Sequence, residues 1–303
     1  MEHINISSTQ NTVLLNNLKV ELKHLDKFYS PSDDIPKKEI IEYYLKIAPY
    51  ILPHIKNKPF SMLHFPDGVG DPMFYQKQCP KNAPKWLKTI KLESSSELGY
   101  VKWCLVNNPA SIIYMVNRSV LEMHTWFSRL PDLEKPDIAA IDLDPSETNS
   151  FKDVLEIAKS FRFIFERLKI YAVPKTSGKR GIHIYIPIKP MPFKDVQNYL
   201  IKLCSVVFSY QKDLVTFERM KKNRSGKIYL DCVQNAMGKT LISPYSMRAQ
   251  AGFPVSAPLL WEELENENLL PQNFNIKNIF KRMEKTGDLF KDFYKKKQVL
   301  PKL

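Results

Sequence analysis

The sequence predicts an α+β fold in which strands carry acidic residues and helices pack behind them. Three observations predict it. Ile138 to Leu143 is a short apolar run that carries two acids at its end, as a buried strand would. Ser150 to Ile170 then keeps helical periodicity for about twenty residues. Tyr171 to Ile188 reads as a strand, a Gly-rich turn and a second strand.

The remaining elements follow in order. Residues 1–18 are polar and rich in Asn and Ser, and are expected to be a flexible N-terminal arm. The spacing predicts a helix after the turn at Ser30 to Asp34. Pro36 suits its first turn, and apolar residues recur at Ile40, Ile41, Tyr44, Leu45 and Ile47. Pro49 and Pro53 are expected to interrupt or end it. Residues 59–79 read as short strands joined by a loop, Pro66 to Pro72. Ser119 to Arg129 is helical by pattern. Phe193 to Gln211 is another helix, and Lys227 to Asn235 another strand. From Trp261 the chain reads as helical and ends in a Lys-rich stretch. Residues 19–303 are expected to form one catalytic domain. It has an N-terminal subregion (about 19–130), a metal- and nucleotide-binding core (about 131–264) and a helical segment (about 265–303).

The chain has 303 residues, 44% hydrophobic and 25% charged, in the ordinary range for a soluble globular protein. Lys and Arg number 45 against 32 acids, a net charge of +13. An excess of that size points to a polyanionic partner, of which nucleic acid is the commonest. Cys79, Cys104, Cys204 and Cys232 include no C-x-x-C pair, which argues against a zinc ribbon. They read as scattered thiols of a reducing cytosol. The first twelve residues lack the apolar core of a signal peptide, and runs such as Ser111 to Val116 are too short to span a bilayer. A soluble, cytoplasmic protein with no membrane partner is expected.

Asp142 and Asp144 are two apart on a strand, so their side chains share a face. Two such carboxylates repel unless a cation lies between them, and Mg²⁺ and Mn²⁺ take hard oxygen ligands of this kind. The same D-x-D-P could instead cap the next helix. Asp231 lies within another apolar run, Ile228 to Val233, where an unpaired charge is costly. A shared metal or a salt bridge would each explain it. Thr176 to His183 forms a basic turn. Gly178 and Gly181 allow a tight bend whose N–H groups could face a phosphate, with Lys175, Lys179 and Arg180 adding charge. Ser177 and His183 could donate to phosphate oxygens. It is not a Walker loop, because the G-x-x-x-x-G-K-[ST] spacing is absent. Gln234, Lys239 and Arg248 follow Asp231, and the two cations suit triphosphate oxygens.

Taken together, these motifs resemble a known family. The order is Asp142-Leu143-Asp144-Pro145, then Thr176-Ser177-Gly178 with Gly181-Ile182-His183. Leu230-Asp231 with Gln234-Asn235-Ala236 comes next, then Pro244-Tyr245-Ser246 with Arg248-Ala249. This looks like the polymerase domain of bacterial ligase D, of the archaeo-eukaryotic primase superfamily. The resemblance runs from about Leu18 to Leu264. It includes Leu25 to Pro31, Ile35 to Tyr44, Phe65 to Lys77, Ala83 to Leu87 and Leu121-Glu122-Met123-His124.

The resemblance implies a primase-like catalytic core with a modified RNA-recognition-like sheet flanked by helices. It implies that Asp142, Asp144 and Asp231 are catalytic and hold two divalent ions, Mn²⁺ or Mg²⁺. His124, Ser177, Gly178, Arg180, His183, Gln234, Lys239 and Arg248 would bind the nucleotide. Phe74 and Tyr75 match an aromatic pair that stacks on template bases, and Lys27 and Lys37 match residues that recognise a downstream 5′-phosphate. The implied activity is template-dependent nucleotidyl transfer that fills gaps and extends ends in non-homologous end joining, with a preference for ribonucleotides. The substrates would be NTP or dNTP and DNA with gaps or ends. A separate DNA ligase and a Ku-type end-binding protein are implied partners, at the nucleoid of a prokaryotic cell. Leu63 and His64 stand where the family commonly has a Lys-Arg pair. No K-x-D-G ligase motif is present, so a stand-alone polymerase is expected. Other readings are a de novo primase, a catalytically silent end-binding module that recruits a ligase and, remotely, a D-x-D glycosyltransferase.

Overall fold

The computed structural model describes residues 12–30, 33–93 and 99–303. Two hairpins lead the chain: β1 (Thr12–Leu15) with β2 (Leu18–Glu21), and β3 (Phe28–Ser30) with β4 (Ile35–Pro36). The expected arm is therefore not loose from Thr12 onward. Val13, Leu15 and Val20 are buried, and that apolar face holds the first hairpin to the body. Residues 1–11 lie outside the described residues.

Helix α1 (Lys37–Ile55) runs through Pro49 and Pro53 instead of stopping at them. Both prolines are on the exposed face, so the carbonyls they leave without a helical N–H are on the water side. The buried stripe of Ile40, Ile41, Tyr44, Ile47, Ile51 and Ile55 continues past them.

The first large sheet uses β5 (Pro59–His64), β6 (Phe74–Gln76), β7 (Thr89–Glu93), β8 (Tyr100–Leu105) and, after helix α2 (Pro109–Asn117), β9 (Val120–Trp126). Ser119 to Arg129 thus holds a strand, not the expected helix. It lies between β5 and a later strand and is buried on both faces, which hides the alternation that marks a strand.

The second sheet carries the acids. Its members are β10 (Ile138–Asp144), β11 (Val173–Thr176), β12 (Ile182–Pro187), β13 (Val215–Thr216) and β14 (Ile228–Asp231), in the order β11-β12-β10-β14-β13. Helix α3 (Phe151–Leu168) follows β10, and α4 (Phe193–Gln211) follows β12. Ser150 caps α3 in a capping box with Asp153. Strand β15 (Thr240–Ile242) returns to the first sheet beside β9, so the segment from β14 to β15 joins the two sheets.

Strand β10 is central, antiparallel to both β12 and β14. Beyond the end of β14, Asn235 continues the pairing with its side chain. Ala140 N donates to Asn235 Oδ1 at 2.8 Å, and Asn235 Nδ2 donates to Ala140 O at 2.6 Å. Asn235 is fully buried, so these bonds have no competition from water.

The C-terminal part is less helical than expected. It holds one short helix, α5 (Ile279–Thr286), and 3₁₀ turns at Trp261–Glu265, Pro271–Asn273 and Phe293–Lys296. Phe290 and Phe293 pack beside His54 and Tyr185. Gln298 bonds to both backbone groups of Tyr171. The four cysteines are not scattered: folding sets Cys79 beside Cys104 and Cys204 beside Cys232. Among the described residues, no helix is long and apolar enough to cross a membrane.

Candidate active site

The strand register gathers the three aspartates. Asp142 stands opposite Asp231 across the β10–β14 pair, and Asp144 stands opposite Tyr229. Opposed residues of an antiparallel pair project from the same face, and Asp144 shares that face with Asp142. Sequence spacing could not place Asp231 there; the register does.

The electrostatics follow from this crowding. Burial, then the charges of Asp144 and Asp231, push the Asp142 carboxyl up to about 7. Burial also raises Asp231, against a hydrogen bond from Tyr229 Oη at 3.1 Å and the charge of Lys239. Asp144 takes a cation from the protein itself: Arg224 Nη1 lies 2.8 Å from its Oδ2. Arg224 is buried and lies over the Tyr229 ring, 4.7 Å from its centroid.

The oxygen donors and their uncompensated charge suit a divalent cation in chemistry. Their present side-chain positions do not close on one. Among the described residues, no three His, Cys, Asp or Glu side chains are gathered to hold an ion. Of the Asp144 carboxylate, Arg224 meets only Oδ2, and the Asp144 side chain is 44% exposed.

His183 lies across from Asp142 on β12, with Nε2 3.4 Å from Asp142 Oδ1. Lys175 Nζ lies 2.8 Å from its other ring nitrogen, Nδ1, and donates to Ser256 Oγ at 2.6 Å. Burial, then the charge of Arg248, hold the Lys175 amine well below the usual lysine range; an N–H donated from it to Nδ1 places the ring proton on Nε2, toward Asp142. Burial and the charge of Lys175 hold the ring well below the usual imidazole range, hence neutral.

The turn between β11 and β12 is built around Ser177. Its Oγ accepts from Lys179 N at 3.1 Å and Gly181 N at 3.0 Å. Those two N–H groups, expected to face a phosphate, thus point inward, and the Ser177 hydroxyl proton is left to donate. Gly178 has φ +75°, and a Cβ there would lie 2.7 Å from Arg248 Cγ. A Cβ on Gly181 would lie 2.2 Å from Leu143 O. Only glycine lets this turn sit against β10. Arg180 is exposed, and its Nη2 donates to Ser146 O at 2.6 Å.

Glu122, on β9, joins Arg248 and Lys179 to His124, whose imidazole is held below its ordinary range by burial. Arg248 Nη1 lies 2.7 Å from Glu122 Oε2, His124 Nε2 lies 2.8 Å from the same oxygen, and Lys179 Nζ lies 4.0 Å from Oε1. Arg248 Nε also donates to Ser177 O at 2.7 Å. Gln234 holds its own loop through Nε2 and Thr240 O, 2.7 Å apart. Sequence reasoning missed the parts played by Glu122, Lys175, Arg224 and Asn235. The first, second and fourth lie inside motifs already singled out, whereas Arg224 sits in a lysine-rich loop with nothing to distinguish it.

The other expected residues line different surfaces. Phe74 and Tyr75 are half-exposed on β6, opposite His64 and Leu63 of β5. His64 stacks on Phe74 with centroids 4.5 Å apart and an interplanar angle of 7°. Lys27 and Lys37 meet through a backbone hydrogen bond of 2.9 Å. Lys27 Nζ pairs with Asp67 at 2.9 Å. Lys37 is buried, and its ammonium donates to Lys23 O and Asn117 O.

Known proteins share this fold. A family model described as the LigD primase-polymerase domain matches residues 36–290. The chain is 31% identical over 288 residues to the bifunctional non-homologous end joining protein LigD of Bacillus subtilis, covering 93% of this chain and 45% of that protein. It is 30% identical over 274 residues to the multifunctional non-homologous end joining protein LigD of Mycolicibacterium smegmatis, covering 89% and 35%. The chain therefore spans less than half the length of these relatives. The fold matches the polymerase domain from Mycobacterium tuberculosis Ligase D in complex with DNA, with a TM-score of 0.85 and 26% identity. That match covers 92% of this chain and 99% of the other.

Proposed function

Because the chain belongs to the LigD primase-polymerase family, we propose that it is a template-dependent nucleotidyltransferase that fills gaps and extends ends in non-homologous end joining. The observation that carries this reading is the register that sets Asp142 against Asp231, with Asp144 on the same face and His183 beside them.

A primer 3′-hydroxyl attacks the α-phosphate of a nucleoside triphosphate in line: a new O–P bond forms as the α–β phosphoanhydride bond breaks, pyrophosphate leaves, and the hydroxyl proton passes to solvent. Mn²⁺ or Mg²⁺, two ions held by Asp142, Asp144 and Asp231, would supply charge neutralisation and a more acidic 3′-hydroxyl. The protein's own part is positioning and charge. Ser177 and His183 donate toward the triphosphate, and Arg248, Arg180 and Lys239 balance its charge, with Gln234 shaping the loop and Gly178 keeping the turn close. Glu122 holds His124 and Arg248 in place. Phe74 and Tyr75 offer faces for unstacked template bases. Lys27 meets the downstream 5′-phosphate, with Lys37 bracing the backbone beside it.

Residues 19–303 act as one catalytic unit in this reading. The protein works at the nucleoid, in the cytoplasm of a prokaryotic cell. It works with a DNA ligase and a Ku-type end-binding protein, and prefers ribonucleotides. Primer extension on a gapped, 5′-phosphorylated duplex tests it, comparing NTPs with dNTPs and Mn²⁺ with Mg²⁺. Incorporation that follows the template supports the reading. No incorporation with either metal, or undiminished extension by Asp142→Ala, would sink it.

A further inference from the structure

The outer edge of the first sheet carries positive charge with little to balance it. Lys77, Lys81, Lys85, Lys88 and Lys91 fall in one stretch that holds no acid. Among the described residues, none of them makes an ion pair, and neither does Lys102 on the facing strand. Lys91 and Lys102 stand directly opposite each other across the β7–β8 pair, and both are exposed. Like charges placed so repel and cost stability. Lys91 finds partial relief over the Tyr100 ring, 4.5 Å from its centroid. Lys102 finds none among the described residues.

The register puts these side chains on the same face as Phe74. On β5, His64 stands opposite Phe74 and Phe60 stands opposite Cys104. His64 and Phe60 are four apart, so they share a face, and Lys102 and Tyr100 precede Cys104 at two-residue steps. The turn after β6 closes the space between. Cys79 N donates to Lys102 O at 2.6 Å, and Lys102 N donates to Gln78 Oε1 at 2.9 Å. Phe74 is 50% exposed and Tyr100 62%. One ring face of each is taken, by His64 and by Lys91 respectively, which leaves each its other face. Tyr75 lies on the opposite side of β6, where its hydroxyl meets Ser61.

We propose that this face is a track for single-stranded DNA. It runs outward from Phe74, past Lys102 and Tyr100, to Lys91. Phosphates between the two lysines would cancel their repulsion, and a base would stack on Tyr100. Exposed rings interleaved with unpaired cations suit an unpaired strand, whose bases have free faces to stack. Bases within a duplex are already stacked on their neighbours and would leave Tyr100 unused. The identity of the strand rests on the polymerase reading: it is template not yet copied, in a gap wider than one nucleotide. The track would keep that template extended and apart from the downstream end.

Binding of the full chain to an oligothymidylate, and to gapped duplexes with one or with about ten unpaired template nucleotides, tests this across a series of salt concentrations. The double variant Lys91→Gln/Lys102→Gln should flatten the salt dependence for oligothymidylate by about 1.4 in log–log slope, since each lost single-strand contact is worth about 0.7. It should also shrink the preference for the wide gap over the narrow one by several-fold. Tyr100→Ala should weaken oligothymidylate binding by at least about fivefold. Lys194→Gln/Lys202→Gln, which removes two exposed charges from α4, is the control and should leave the gap preference as in wild type. An equal loss in the control pair means general charge attraction and overturns the track. An unchanged slope in the first pair overturns it too, as does full binding by Tyr100→Ala. If blunt duplex binding falls as much as oligothymidylate binding, the face takes duplex and the proposal is wrong. A wild-type chain that extends primers while these variants bind normally sinks this inference alone. A wild-type chain that binds through the face but adds no nucleotide sinks the polymerase reading and, with it, the strand's identity as template.

Discussion

Glu122 receives Arg248 Nη1 at 2.7 Å while itself fully buried, so one carboxylate of the first sheet anchors a cation that leans on the turn of the second. Burial alone would raise the Glu122 carboxyl. The hydrogen bond from His124 and the charges of Arg248, His124 and Lys179 outweigh it and hold the group well below the usual carboxylate range. Its stabilisation is present above the ordinary value of 4.5 and is lost as pH falls from there through the lower folded value. Glu122→Gln is expected to cost about 3 kcal/mol at neutral pH, and the gap to wild type should narrow in acid. Urea unfolding at pH 7 and pH 3 checks this. A gap that stays constant would place the stabilisation elsewhere.

Asp142 stores the opposite tension. A neutral side chain there relieves repulsion from Asp144 and Asp231, so Asp142→Asn should melt higher than wild type in cation-free buffer at pH 8. The gain is on the order of 1–3 kcal/mol. The same variant should lose nucleotide incorporation by at least about 10³-fold. Calorimetry with and without Mn²⁺ reads the first effect. A variant less stable than wild type without metal would refute the account.

Arg224 competes with any cation for Asp144. Arg224→Ala should therefore lower the Mn²⁺ concentration needed for half-maximal extension by several-fold. It should also cost about 1.5–3 kcal/mol of stability through the lost charged hydrogen bond. A metal titration of extension rate decides it, and a higher metal requirement would count against competition.

Phe74 is half-exposed, so Phe74→Ala should change stability by less than about 1 kcal/mol, whereas Tyr75→Ala also removes a hydrogen bond to buried Ser61 Oγ and should cost about 1–3 kcal/mol. Extension should fall by about tenfold or more, since base–aromatic stacking is worth ~1–3 kcal/mol per base. Filter binding to a template with a single-stranded gap separates this from a folding defect. Unchanged affinity would remove the pair from the template path.

Lys27 and Lys37 should part company on substitution. Lys27→Ala should reduce the preference for a 5′-phosphorylated downstream strand with little loss of stability. Lys37→Ala should destabilise the fold, because its buried ammonium holds two carbonyls. Competition between phosphorylated and unphosphorylated gaps, run beside thermal melts, distinguishes them. Equal phosphate preference in wild type and Lys27→Ala would end that assignment.

Much of this arrangement could be read from the chain. The β10 run, the capped α3 and the Gly-rich turn each carry a local signature, and each formed where expected. The β9 strand did not, because burial on both faces erases alternation and leaves an apolar cluster that mimics a helix. The prolines of α1 misled for a different reason: the cost of a missing N–H depends on whether the orphaned carbonyl faces water, which spacing does not reveal. In the site, the shared face of Asp142 and Asp144 was legible from i, i+2 geometry alone. The partners Glu122, Lys175 and Arg224 were not, since their contacts with Arg248, Ser256 and Asp144 span 126, 81 and 80 residues of chain.

The Asn235 side chain, bonded to both backbone groups of Ala140, has an evolutionary corollary. A one-residue slip of β14 would turn Asp231 to the opposite face of the sheet. Asn235 follows Asp231 by a short loop and fixes that alignment from beyond the strand's end. Substitutions at exposed Val233 can therefore drift among descendants, whereas insertions and deletions between Asp231 and Asn235 should be purged. The loop's length is under tighter selection than that letter.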